Sequence, residues 1–201
     1  MWKKSVCRQP NTKYVWKSRH AGQIDLFMGL LSVFLVVLVM IIGLKLSHFM
    51  IAGAYMEDAL AASNLASALI DIEEYGKSHI LRIKDPQEAY DIYKEALSVN
   101  LELDEEGQSA QKALLEGPVK ILAYMVYNVE GDRVDVFSLS EGETMQKSQS
   151  GETGQIYTPD GILVETTTIY SRISFLVKGL GKQYIYAEKE KSVDVKRNQE
   201  K

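Results

Sequence analysis

Hydrophobic and polar positions divide the chain into three regimes. Residues 26–44 (LFMGLLSVFLVVLVMIIGL) run for nineteen positions without a charge. From 45 to about 100 the apolar positions recur at helical spacing, and from 119 onward the period falls to two. At about 1.5 Å of rise per residue, nineteen helical residues cross roughly the ~30 Å hydrocarbon core of a bilayer. In lipid only a helix or a closed barrel satisfies its own backbone, and one segment closes no barrel. The run is therefore expected to be a membrane-spanning helix. A buried helix of a soluble protein is the weaker reading, because uninterrupted apolar runs of eighteen or more are the usual mark of a span.

The helical pattern continues beyond Leu44. Residues 45–76 contain no proline, and only Gly53 interrupts the strong helix formers. Leu60, Asn64, Ser67 and Asp71 fall on one stripe, and Leu65, Leu69 and Ile72 on another. The spacing predicts one helix from about 24 to 75, crowded with Ala, Gly and Ser that let a partner helix approach closely. High alanine propensity explains the same composition without any partner. Asp85 and Pro86 then read as N-cap and first position of a second helix running to about Val99. Residues 101–107 (LELDEEG) form an acidic linker, and 108–116 a short third helix closed by Gly117 and Pro118.

Residues 119–128 (VKILAYMVYN) and 133–138 (RVDVFS) alternate around a short turn, as a hairpin does. Residues 140–154 are rich in Ser, Gly, Glu and Gln and are expected to be a solvated loop. Residues 162–177 (ILVETTTIYSRISFLV) fit one or two strands. Residues 183–187 (QYIYA) fit a closing strand, with the charged tail from Glu188 fraying. The expected architecture is α+β: a 1–22 leader, a 23–46 span, a 47–76 helical stalk, a 77–117 helical segment, a 118–190 antiparallel β head and a 191–201 tail.

Charge orients this plan. Lys3, Lys4, Arg8, Lys13, Lys17 and Arg19 precede the apolar run, and no acid occurs before Asp25. Of 23 basic residues these six lie ahead of the run, leaving 17 against 27 acids, a net of -10. A basic flank stays in the cytoplasm, which directs the C-terminal bulk outward as a single-pass membrane protein. An acidic outer domain argues against nucleic acid as a partner. Cys7 is the only cysteine, so no intramolecular disulfide forms. His20, His48 and His79 lack metal-ligand spacing, and there is no GxxxxGK[ST], GxSxG or HExxH. The sequence thus carries no catalytic, cofactor-binding or metal site and no sign of a small-molecule substrate; the expectation is a protein that is not an enzyme.

Two residues at the membrane border have chemistry of their own. Gly22 is small and flexible, a place where a protease can seat an extended backbone. Asp25 opens the spanning helix with a carboxylate, which costs up to about 2.5–3.5 kcal/mol deep in lipid. It is either solvated at the interface, where the helix N-terminal dipole favours it, or paired with a cation inside an assembly.

A basic leader, a glycine, an acid within a few residues, an apolar helix and a small, partly β head make a layout that resembles type IV prepilins and pseudopilins. Gly22, Gln23, Ile24, Asp25, Leu26 and Phe27 look like their processing site. The extension EDALAASNLASALIDIEEYG is most similar to TadE-like minor pseudopilins of tight-adherence pili. The resemblance covers about residues 15–75. It implies cleavage after Gly22 by a prepilin peptidase, Gln23 as the new N-terminus, pairing of the freed amine with Asp25 of a neighbouring subunit, and assembly by a cytoplasmic ATPase and platform with other pilin-like subunits. These families usually carry a glutamate five residues after the cut. Here that position is Phe27, and the only acid, Asp25, is third. Two other readings stand beside this one. An uncleaved bitopic anchor carrying a sensor or scaffold domain needs nothing from Gly22 or Asp25. A secreted form would use Ala52, Gly53 and Ala54 as a signal-peptidase site, but the apolar run exceeds a usual signal core.

Overall fold

The structure, a computed structural model, describes residues 13–111, 114–140, 143–179 and 183–196, with the backbone alone over 13–22. The first twelve positions of the leader, including Cys7, and the last five of the tail lie outside the described residues. The chain divides into two compact units, Met1–Leu46 and Ser47–Lys201.

Helix α1 (Lys13–Ser67) runs through both. It starts ahead of the expected residue 24 and ends before the expected 75. Near its end two serines bond back to helix carbonyls. Ser63 Oγ donates to Ala59 O at 2.7 Å and Ser67 Oγ to Asn64 O at 2.9 Å, competing with the helical ladder. The chain then finds other backbone partners: Asp71 N donates to Arg82 O at 3.0 Å and Lys84 N to Leu69 O at 3.3 Å. Asp71 next caps a short helix, α2 (Ile72–Ser78), by accepting from Glu74 N. Helix α3 (Pro86–Asn100) begins as its sequence predicts. Asp85 Oδ1 accepts from Gln87 N and Glu88 N, and Pro86 occupies the first turn.

Five antiparallel strands follow: β1 (Leu115–Glu130), β2 (Arg133–Ser140), β3 (Thr144–Glu152), β4 (Thr168–Lys178) and β5 (Tyr184–Asp194), ordered β3-β2-β1-β4-β5. The expected α+β architecture, with a long helix leading into an antiparallel head, is present. Three local expectations are corrected. The described residues of the expected 108–116 helix are not helical: Gln108 bridges Pro118, Ser109 bridges Leu103, and β1 starts at Leu115. Residues 144–152 are a strand rather than a loop, because an edge strand wet on both faces needs no apolar alternation. The segment from Glu188 does not fray, since β5 pairs with β4 as far as Asp194.

One face of the sheet packs on helices. Tyr124 and Val126 of β1 and Ile169, Ile173, Phe175 and Val177 of β4 meet Ala52, Met56 and Leu60 of α1 and Tyr90, Tyr93 and Leu97 of α3. The register between β1 and β4 shifts between Ile121 and Ala123. This bulge moves the inward positions of β1 from odd to even numbers, so Ile121 and Tyr124 share a face while Leu122 points to solvent. The opposite face carries a smaller cluster, in which Tyr127, Val134, Val136 and Tyr170 pack on Ile156 and Val164 from the 153–167 crossover.

Candidate functional site

The residues singled out in the sequence lie in the first unit, on α1. Gly22 and Gln23 have helical backbone, and the helix is unbroken between them. Gln23 and Asp25 are exposed, as are Ile24, Leu26 and Phe27. No basic side chain stands three or four positions from Asp25, where a helical neighbour would reach it. The apolar run beyond is exposed almost throughout: Leu26, Phe27, Leu30, Phe34 and Val39 each keep more than 60 % of their surface open. It forms one helix long and apolar enough to cross a membrane.

In the second unit the closing turns of α1 carry a polar seam rather than a dry face. Tyr124 Oη donates to Ser67 Oγ at 2.9 Å, and Asn64 Nδ2 donates to Lys191 O of β5 at 2.9 Å. Asn100 Nδ2 of α3 donates to Ser63 Oγ at 3.0 Å. Burial pushes the Tyr124 phenol above its ordinary range, and the Ser67 hydroxyl pulls it back in part. Burial also raises Tyr93, which the Ser171 hydroxyl beside it lowers, although the two do not meet as a well-formed hydrogen bond. At the edge of the seam Glu57 is held by two cations, Lys191 at 2.7 Å and Lys189 at 2.8 Å. Hydrogen bonds from those two lysines hold its carboxyl down at about 2. Small residues make the approach possible: Ala52, Ala59, Ser63 and Ser67 are all buried on this side of α1.

A cavity of about 610 Å³ opens where β1 turns toward β2 and where β4 begins. His79, Leu81, Val129, Glu165, Thr167 and Lys196 line it. His79 closes α2 in the left-handed region at φ 58°, which turns the chain into the extended stretch that forms one wall. Thr167 is fully committed: its hydroxyl donates to Leu81 O and accepts from Val129 N at 3.1 Å. Lys196 Nζ lies 3.0 Å from Asp194 Oδ2. The rim therefore offers one cation, one acid and an imidazole, without a nucleophile held by a base. Among the described residues no group of three or more His, Cys, Asp or Glu is placed to hold a metal ion.

Gly22, Gln23 and Asp25 belong to the first unit and this cavity to the second. The Glu57 clamp and the Thr167 tether are not legible in the sequence, because each joins residues more than eighty positions apart with no local pattern. The polar members of the Leu60, Asn64, Ser67 stripe did carry a signal: polar side chains at core spacing need partners. Comparison of the chain with protein-family models, with curated proteins and with solved structures finds no match.

Proposed function

We propose that this chain is a single-pass membrane protein of pilin-like design, built for assembly rather than catalysis. Residues 26–44 lie in the bilayer, the N-terminus is cytoplasmic and the β domain is extracytoplasmic. After removal of the leader at Gly22, the chain joins a tight-adherence or type IV-like pilus, or a secretion pseudopilus, as a minor subunit. Its partners are the prepilin peptidase, the assembly ATPase and platform, and other pilin-like subunits. It binds neither nucleic acid nor a small-molecule substrate.

One observation carries the reading: a single helix is bare and apolar over residues 26–44 and serves as a packing element of the sheet from Ala52 onward. So large an exposed apolar surface must be covered, by lipid or by like helices. Fourteen of its nineteen residues are Leu, Ile, Val or Phe, together worth roughly 4–8 kcal/mol of insertion free energy on the biological scale. That exceeds the cost of Asp25 even if the carboxylate were drawn to the bilayer centre. An uncleaved single-pass anchor is the second reading, and the unbroken helix through Gly22 and Gln23 favours it, since a protease seats an extended strand.

The assembly role rests on Asp25. In cells that build the fibre, Asp25→Asn should still resist alkaline extraction from membranes yet be missing from sheared fibres. Normal incorporation of the variant would remove the pairing role.

A further inference from the structure

The contacts of the second unit fix which way α1 runs over the sheet. Ser67 meets Tyr124, the register partner of Ser171, and Asn64 meets Lys191, also a partner of Ser171. Past Ser67 the chain reaches Ile83, which exchanges hydrogen bonds with Asn128. Later residues of α1 therefore lie toward the Asn128 end, and earlier ones toward Val177 and Ile185. From Lys191 to Tyr184 the strand covers about 23 Å at ~3.3 Å per residue, the rise of about fifteen helical residues. That carries the level from Asn64 back to about Met50. The Tyr184 end of β5 thus stands level with about Met50, at the start of the second unit's share of α1.

That end is apolar. Among the described residues beyond Ile51 the exposed large apolar ones stand singly, except for Tyr184, Ile185 and Tyr186, three in a row at 51, 47 and 58 % exposure. On an edge strand such a run invites association unless something covers it. Leu176 and Pro118 extend it on one face, and Met50 and Ile51 stand exposed at the same level of α1. The opposite edge, β3, is polar throughout except for Met145. The charged half of β5 disfavours a second copy as the cover. Glu188 and Glu190 share one face and Lys189 and Lys191 the other, so continuing the sheet across a two-fold axis sets like charges against each other. Tyrosine rings level with Met50, six residues past the apolar run, suit the headgroup boundary, where an apolar body and a polar tip are both satisfied.

We infer that Tyr184, Ile185 and Tyr186 seat in the lipid headgroup boundary and dock the β domain on the membrane surface while the chain is in the bilayer. The inference rests on the membrane reading of residues 26–44. The acidic 104–106 loop adjoins the same end through Gly107 O and Val119 N, so the contact is made by the β5 side and needs no anionic lipid.

The test uses the full chain with Cys7→Ser in phosphatidylcholine nanodiscs, spin-labelled at Ile185→Cys, at Val36→Cys in the span, or at Asp132→Cys at the far turn. Collision with oxygen and with a water-soluble nickel chelate is then compared. The label at 185 should favour oxygen over nickel several-fold more than the label at 132. A 185 label as open to nickel as the 132 label, with the 36 label protected, overturns the docking and leaves the span standing. A 36 label open to nickel removes the span and the docking with it. Tyr184→Cys repeats the measurement should Ile185→Cys fail to fold.

Discussion

The Tyr124 hydroxyl donates to Ser67 Oγ across 2.9 Å, joining α1 to β1 through two buried side chains fifty-seven positions apart. Ser67 donates its own hydrogen bond to Asn64 O, so the pair is satisfied only while α1 keeps its place on the sheet. Ser67→Ala should cost about 1–3 kcal/mol by leaving the phenol buried without an acceptor, and Tyr124→Phe about 1 kcal/mol or less. The double variant should be no worse than Ser67→Ala alone. Thermal unfolding of the detergent-solubilised chain, followed by circular dichroism, measures all three; strict additivity would deny the coupling.

Two leucines on the same helix separate packing from display. Leu60 is fully buried and Leu65 is 60 % exposed. Leu60→Ala should lose about 2–5 kcal/mol, as cavity-forming changes in well-packed cores do, whereas Leu65→Ala should stay within about 0.5 kcal/mol. Similar losses at both positions in a denaturant titration would mean that α1 does not bury the face described.

Glu57 gives the seam a pH dependence of definite sign. Its carboxyl is held at about 2 against an ordinary 4.5. The stabilisation is therefore complete above about 4.5 and is lost as pH falls toward 2. Both lysines and the acid are more than a third exposed or close to it, so the effect is under about 1 kcal/mol and weakens in salt. Melting temperatures of the parent chain and Glu57→Gln should differ at pH 6 and converge near pH 2.5. A constant difference across that range would place the effect elsewhere.

The parts of the fold legible in the sequence are those with local causes. Asp85 and Pro86 announce α3 because cap and first turn are set within four residues. The apolar run and the alternation of β1 are legible for the same reason. The end of α1 at Ser67 is not, because residues 69–71 leave the helix to pair with residues 82–84. Strand β3 is hidden because pairing with β2, rather than burial, holds it. The last residues of β5 look like a solvated tail until Lys189 and Lys191 find Glu57 more than 130 positions away. At the candidate site, residue chemistry singles out Gly22 and Asp25 and the resemblance to prepilins adds Gln23, whereas the cavity around Thr167 has no signature in the sequence.

The most direct test of the account is the N-terminal residue of the chain extracted from membranes of cells that express the assembly machinery. Mass spectrometry of the intact protein should find a chain that begins at Gln23, with the basic leader gone. A chain still beginning at Met1 in such cells would contradict the pilin-like account and leave an anchored domain in its place.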